Sequence, residues 1–417
     1  MSEMQKHASK QETITSPMGT TAFPFYLGGI ASWFLALGLQ TVMLPTIGLV
    51  YLNNSPFELA ILQMAQMAPA LVLLLFIGGL SDRLEGRTLL AAIHTVAAIP
   101  PAILGWMIWN GTFTYTHLLI FALLMGCLSA FSVPTRDALL TRIVQSNVQK
   151  AVTFSLMAQF SAQLIGFSLA AVFSQLAGAW ALLVMQSIGL LVGLAFSLAL
   201  PRLPPQAAPP DSTPQNWRTG LDIVFNSPRL FPILLVTFAV STFFIGTFVV
   251  GLPLIARNVF GGGQLEISLL SLSFWVGTIT ITIILSRLPP IHRRGLALTF
   301  STFGGALCLM GIGFASSFPI MCAAVACWGL CAGINIAMSR TVMQIEAPAH
   351  AKARVMAIYN FAFLGGMPFG ALTTGLVSEK FGAQTSVMIF SAAMMLFLIW
   401  MFFFTDLRRV TRHPDEV

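Results

Sequence analysis

Charged residues are scarce in this chain. Aspartate, glutamate, lysine and arginine make up only 8% of its 417 residues, and 56% are hydrophobic. Soluble domains carry about 25% charged residues, and a chain this apolar could not cover its surface with polar groups. Lipid is the solvent that fits this composition. Because the basic residues flank apolar segments, the net charge of +7 is explained by membrane topology, and we expect no nucleic-acid partner.

Metal-binding and catalytic groups are also missing. The spacing of Cys327 and Cys331 (i, i+4) would suit a metal pair, but no histidine or carboxylate joins them. We expect no metal site and no disulfide, and we interpret all five cysteines as small buried core residues. No ATP-binding loop of the G-x-x-x-x-G-K-[ST] type occurs, and no region gathers a nucleophile, a base and a stabilising group. The sequence predicts neither a cofactor nor an enzyme.

Long apolar segments dominate what is present. About 20 apolar residues are needed to cross a hydrocarbon core of about 30 Å, and such segments occur twelve times. The predicted spans are 23–50, 57–80, 88–109, 117–140, 151–176, 179–200, 230–256, 265–286, 295–315, 318–344, 354–377 and 385–404.

The basic residues predict the orientation. All but two of the 21 lysines and arginines lie in the tails or in one alternate set of loops, and the opposite loops hold only Arg257 and Lys380. Because cytoplasmic loops retain lysine and arginine, we expect both tails to lie in the cytoplasm. The first about 20 residues are polar and lack the apolar core of a cleaved signal peptide, which favours a cytoplasmic tail.

The chain divides into two similar halves. The expected organisation is a polar tail (1–22), a six-helix bundle (23–200), a cytoplasmic linker with a Pro-rich spacer and an interfacial helix (201–229), a second six-helix bundle (230–404) and a cytoplasmic tail (405–417). One constant offset of 204 residues pairs Arg136 with Arg340 and Gly166 with Gly370. The predicted fold is an all-α integral membrane protein with twelve transmembrane helices in two pseudo-symmetric six-helix bundles. Such parallel repeats place a cavity between the halves.

The loop after span two reads GGLSDRLEGR over residues 78–87. It resembles the G-x-L-A-D-R-x-G-R-R signature of the major facilitator superfamily. The resemblance implies that Asp82 meets a helix N-terminus of the other half and closes a cytoplasmic gate with Arg83 and Arg87. Glu85 and Gly86 depart from the pattern, so the gate network is expected to differ here.

Further segments resemble one branch of that superfamily, which contains the enterobactin exporter and macrolide-efflux-like proteins. They are 134–140, 220–230, 354–359 and 366–370. The resemblance implies a monomer in the bacterial inner membrane that exports amphiphilic small molecules, with a proton as the coupling ion. Arg136, Arg340 and Arg354 join the expected gate. For Arg136, pairing with Asp137, capping of span-five carbonyls and contact with a conduit all remain open.

Polar side chains at membrane depth need partners, because hydrocarbon offers none. They either bind substrate or join helices through hydrogen bonds. Large aromatic side chains either receive an amphiphile or serve ordinary packing and lipid contact. The candidate cavity residues are Gln40, Gln63, Gln66, Gln159, Gln163, Phe243, Phe244, Trp275, Trp328, Asn335 and Asn360.

His94, about two turns into span three, is the one deep titratable side chain, because no aspartate or glutamate lies in the middle of a span. It either carries a coupling proton or is a buried neutral histidine that donates to a carbonyl. Two other functions remain open for the chain: import of a neutral solute, which predicts amides with few aromatics in the cavity, and a sensor or assembly factor that does not transport.

Overall fold

The computed structural model describes residues 22–81, 85–144, 148–173, 176–202, 217–289, 291, 293–348 and 351–405. In this part of the chain, twelve helices are long and apolar enough to cross a membrane, which confirms the predicted twelve-span all-α fold. The spans are Ala22–Tyr51, Pro56–Ser81, Gly86–Trp109, Tyr115–Ile143, Val148–Phe173, Ala179–Leu198, Leu230–Asn258, Gln264–Arg287, Arg294–Gly313, Phe318–Glu346, Lys352–Phe381 and Ala383–Phe404.

The two halves use the same helix pairs. Span one packs on span five, two on four and three on six; in the second half, span seven packs on eleven, eight on ten and nine on twelve. This equivalence is what a parallel repeat produces. The halves meet where span two lies against span eleven and span five against span eight. Span one begins and span twelve ends on one face of the bundle, which we call the tail face; the other is the opposite face.

Among the described residues, the hydrogen bonds between the halves lie toward the opposite face. The Phe57 N–H donates to Glu379 at 3.2 Å, the Gln63 amide to the Val249 carbonyl at 3.2 Å, and the Gln264 amide to the Ala170 carbonyl at 2.7 Å. In addition, Gly375 of span eleven lies directly against Ala60 and Pro56 of span two. The structure is therefore closed at the opposite face.

Spans one and seven are locally widened. Span one continues as a π-helix over Ile47–Tyr51, and span seven contains two π-helical segments, Ser241–Ile245 and Thr247–Gly251. By the 204-residue offset between the halves, the segment of span one corresponds to residues 251–255, so the widened segments of span seven lie earlier in their helix. Short π-helical segments occur frequently at functional sites, and those of span seven carry aromatic side chains that face the space between the halves.

The linker helix Trp217–Phe225 docks on the second half. Gly220 and Val224 are buried, whereas Leu221 and Phe225 are 37% and 55% exposed. A Cβ at Gly220 would lie 2.9 Å from Ile358 Cδ1, so glycine permits close approach to the start of span eleven. The helix is thus attached to the second half through its small-residue face.

Candidate functional site

A cavity of about 420 Å³ lies between the halves. Its floor is at Thr41 and Val249, near the closed opposite face, and its lining extends toward the tail face as far as Ser339 and Tyr359. This volume is within the range of about 300–1,000 Å³ of small-molecule sites. Ten spans contribute side chains, so movement of the halves would reshape the cavity.

Aromatic rings from the second half form one wall. Phe244 and Phe248 come from span seven, Phe274 and Trp275 from span eight, and Trp328 from span ten. The ring centroids of Phe274 and Trp328 are 4.9 Å apart, those of Phe248 and Phe274 4.8 Å, and Phe244 meets Trp328 edge to face at 5.8 Å. We call these five residues the aromatic wall. Such contacts between neighbouring rings hold each ring in a defined orientation.

The first half contributes amides to the cavity. Gln40, Gln66 and Gln163 line it from spans one, two and five. Gln40 accepts a 3.0 Å hydrogen bond from the amide of Gln186 in span six, so its side chain is held by the first half itself. Gln66 has an amide oxygen without a hydrogen-bond partner among the described residues. Gln40 is thus held in place by Gln186, whereas the amide oxygen of Gln66 could accept a hydrogen bond from a ligand.

Two further polar pairs lie on the second-half side. Asn335 donates to the Thr302 hydroxyl at 2.6 Å, and the hydroxyls of Ser339 and Tyr359 are 2.9 Å apart. Among the described residues that line the cavity, none is charged. A cavity of aromatics, amides and hydroxyls without a fixed charge is suited to an uncharged ligand.

Four of the eleven candidate cavity residues lie elsewhere, and for them the structure corrects the placement. Gln63 is used in the hydrogen bond to Val249 between the halves, and Phe243 stacks on Phe390 at 5.9 Å. Gln159 is half-buried outside the cavity lining, and Asn360 is exposed on the bundle surface.

The interpretation of the cysteines as buried core residues was wrong. Cys327 is exposed, and Cys127, Cys308, Cys322 and Cys331 are half-buried. Cys331 lines the cavity. Small apolar side chains fit a lipid-facing or cavity-facing surface as well as a core, because all three environments are apolar.

The gate residues can be placed only in part. Asp82 and Arg83 lie outside the described residues. Arg87 is half-buried at the start of span three, and Arg340 is exposed near the end of span ten. Arg354 packs beside the linker helix, where its Cβ is 3.2 Å from the position that a Cβ at Gly220 would take.

Arg136 is buried, with 7% of its side chain exposed. Its Nε donates to the carbonyl of Ser132 at 3.2 Å, and its guanidinium lies 4.8 Å from the ring centre of Phe34 and 5.9 Å from that of Trp33. One guanidinium nitrogen, Nη1, lacks a hydrogen-bond partner among the described residues. Contacts with two aromatic faces therefore contribute to its stabilisation.

His94 lies beside the same aromatic group. It is 1% exposed, its Nδ1 is 2.9 Å from the Leu90 carbonyl, and its ring meets Trp33 edge-on at 5.7 Å. Because a carbonyl oxygen only accepts, Nδ1 carries the hydrogen. Nε2 has no partner among the described residues. Trp33 itself lines the cavity, so one indole separates His94 and Arg136 from the cavity.

Two bundles of six spans, a cavity between them and closure at one face are the architecture of a membrane transporter. The chain belongs to the Major Facilitator Superfamily, whose sequence profile matches residues 26–371 and 293–416. This confirms the family suggested by the loop signature.

The chain is similar to a curated protein and to several solved structures. Macrolide efflux protein A of Streptococcus pyogenes is 21% identical over 347 residues, which cover 80% of this chain and 84% of that protein. A bacterial homolog of the human lysosomal transporter Spinster, in an inward-facing and occupied conformation, superposes with a TM-score of 0.73 at 14% identity, covering 96% of this chain and 99% of that one. A mutant of the nucleoside transporter NupG gives 0.71 at 15% identity, covering 92% and 100%. These structural likenesses show the fold.

Proposed function

We propose that the chain exports uncharged amphiphilic small molecules by alternating access. The observation that carries this proposal is the cavity itself: it lies between two equivalent halves, has an aromatic wall on one side and amides on the other, and has no charge among its described lining residues. An amphiphile could place its apolar part on the aromatic rings and its polar part near the amides. The similarity to macrolide efflux protein A supports the outward direction.

Import of a neutral solute is less well supported. An importer of that kind is expected to bind with amides and few aromatics, whereas five of the rings in this cavity form a continuous cluster. An aromatic wall favours compounds that partition into lipid, and such compounds cross the membrane into the cell without a carrier. A carrier that binds them is therefore expected to export them.

Blocking the cavity tests the proposal. Ala332 lines it from span ten, and Ala332→Trp would fill much of its roughly 420 Å³ with a side chain that cannot leave. We expect cells expressing the unaltered protein to accumulate less of an uncharged amphiphilic dye such as Nile red than cells without it, and Ala332→Trp to abolish the difference.

A variant on the same helix provides the control. Cys327 is exposed on span ten, so Cys327→Trp adds the same bulk outside the cavity and should leave export intact. Higher dye accumulation in expressing cells would indicate import instead. Unchanged accumulation of Nile red and of a broader panel of uncharged amphiphiles would argue against transport.

We further propose that export is coupled to protons and that His94 carries the proton. The titratable and hydroxyl groups described near His94 are Tyr26 from span one, Arg136 from span four and Ser197 from span six, whose hydroxyl is 3.4 Å from Nδ1. A proton on Nε2 would add a second positive charge to a compartment that already holds Arg136. Repulsion between the two would act on Trp33, which contacts both and lines the cavity.

His94→Gln should separate proton movement from substrate exchange. Glutamine can still donate to the Leu90 carbonyl but does not titrate between about pH 5 and 8. In inverted vesicles we expect the variant to lose substrate-induced proton release and stimulation by a pH gradient, while substrate counterflow persists. His117→Gln, at a half-buried histidine bonded to Thr114, is the control. Normal proton release by His94→Gln would refute the assignment.

A further inference from the structure

Two indole N–H groups of the aromatic wall lack hydrogen-bond partners. Nε1 of Trp275 and Nε1 of Trp328 are both buried and unpaired among the described residues. An indole N–H can only donate, and a buried donor without an acceptor is costly in a site that excludes water. Two such donors in one wall of one cavity point to an acceptor that arrives with the ligand.

Neighbouring rings fix the orientation of the Trp328 indole. Its side chain is 2% exposed, and Phe244, Phe248 and Phe274 surround it with ring centroids at 5.8, 6.1 and 4.9 Å. Because the ring cannot turn without displacing three neighbours, the N–H keeps one direction. The donor is therefore preorganised before a ligand binds.

A glycine lets span nine pack closely beside that donor. Gly305 of span nine lines the cavity, and a Cβ built there would lie 3.2 Å from Trp328 Cδ1, 3.3 Å from Phe244 Cε2 and 3.5 Å from Trp328 Nε1. The first two of these distances are shorter than ordinary van der Waals contacts, so any side chain at this position would press on the polar edge of the indole and on the ring of Phe244. Glycine at 305 therefore places no side chain beside the indole N–H at this position of span nine.

We propose that Gly305, Phe244, Trp275 and Trp328 form a subsite for planar, uncharged ring compounds that present a carbonyl or ether oxygen. The indole N–H of Trp328 donates to that oxygen, the Trp275 N–H is available to a second acceptor, and the ligand ring packs on the aromatic wall. On the amide side, Gln66 is left to meet a polar group at the other end of the ligand. This inference rests on the proposed function, because it takes the cavity as the substrate site.

Two probes of matched shape test the subsite on purified protein. Flavone has a ring carbonyl and a ring ether oxygen and no donor; 2-phenylnaphthalene has nearly the same outline and neither oxygen. We expect tighter binding of flavone. Trp328→Phe keeps an aromatic ring and removes the donor, so it should weaken flavone binding about 3- to 10-fold, the worth of one net hydrogen bond, and leave 2-phenylnaphthalene binding unchanged.

Two more variants complete the design. Gly305→Ser places a hydroxyl beside the indole N–H, where it competes with the ligand oxygen, and it should reproduce the selective loss of flavone binding. Trp400→Phe removes an indole N–H at an exposed position in span twelve and should change neither probe. Equal loss of both probes in Trp328→Phe, or no preference for flavone in the unaltered protein, would overturn the subsite.

The outcomes also separate this inference from the proposed function. If flavone selectivity depends on Trp328 but Nile red accumulation is unaffected by expression, the subsite stands and the exporter proposal falls. If export is blocked by Ala332→Trp while the two probes bind alike, the exporter proposal stands and the donor subsite falls.

Discussion

Replacing Gly166 or Gly370 by alanine is expected to destabilise the folded protein by at least about 1–3 kcal/mol, the usual cost of overpacking. The added Cβ would meet backbone atoms, which cannot move aside as a side chain can. A Cβ at Gly166 would lie 2.5 Å from the carbonyl oxygen of Leu35 and 3.0 Å from the Cα of Gly38, where spans one and five cross. At Gly370 a Cβ would meet the carbonyl oxygen of Thr242, where spans seven and eleven cross. Neither backbone can yield without separating two spans.

Thermal unfolding in detergent, followed by the loss of the monodisperse chromatographic peak, measures this effect. Gly311→Ala is the matched control, because Gly311 is exposed within span nine and a Cβ there meets nothing within 4 Å. Alanine is about 1 kcal/mol better than glycine inside a helix, so the control should be neutral or slightly stabilised. If Gly166→Ala were as stable as Gly311→Ala, the close crossing of spans one and five would not be as described.

The repeat in the sequence predicted the two glycine positions at these crossings, but not the residues that pack against them. The constant offset paired Gly166 with Gly370, and the structure places both at equivalent crossings. Their partners differ, however: Gly38 faces Gly166, whereas the equivalent position in span seven is Thr242 and the close approach there also uses Gly246. Helix length and number follow from apolar segment length, which is local, but the partner at a crossing depends on how two distant helices rotate toward each other.

That rotation also explains which cavity residues could be predicted. In a soluble protein the polar face of a helix marks its exposed side. Here lipid, core and most of the cavity wall are all apolar, so the sequence of a span contains little that fixes its rotation. Gln40, Gln66, Gln163, Phe244, Trp275, Trp328 and Asn335 line the cavity as expected of polar or large side chains, but Asn360 faces outward.

The residues that sequence reasoning missed follow the same rule. Trp33, Phe248 and Phe274 line the cavity, yet each is one of many aromatic residues in apolar segments. Gln186, which braces Gln40, was also overlooked. The sequence does indicate that Gln186 needs a hydrogen-bond partner, because an amide within span six lies in hydrocarbon. Only the structure identifies that partner as Gln40.

Gly375→Leu is expected to slow transport by holding the two halves apart at the opposite face. Gly375 packs against Ala60, and a Cβ there would also lie 2.8 Å from the carbonyl oxygen of Pro56. This contact joins the halves only when the opposite face is closed, so a larger side chain penalises one of the two access states and spares the other. A penalty of about 1.4 kcal/mol, within the common range for overpacking, shifts their ratio tenfold.

Cys331, which lines the cavity, can report the shift. In a variant that retains only this cysteine, a membrane-impermeant maleimide should label it faster from the tail face, because the structure is closed at the opposite face. Adding Gly375→Leu should favour labelling from the opposite face, by about tenfold in the ratio of the two rates. Leu376→Phe adds bulk at the next residue, which is 42% exposed on the bundle surface, and should change neither labelling nor transport. Unchanged sidedness in Gly375→Leu would mean that the interface of spans two and eleven does not separate during transport, and alternating access would then have to occur elsewhere in the bundle.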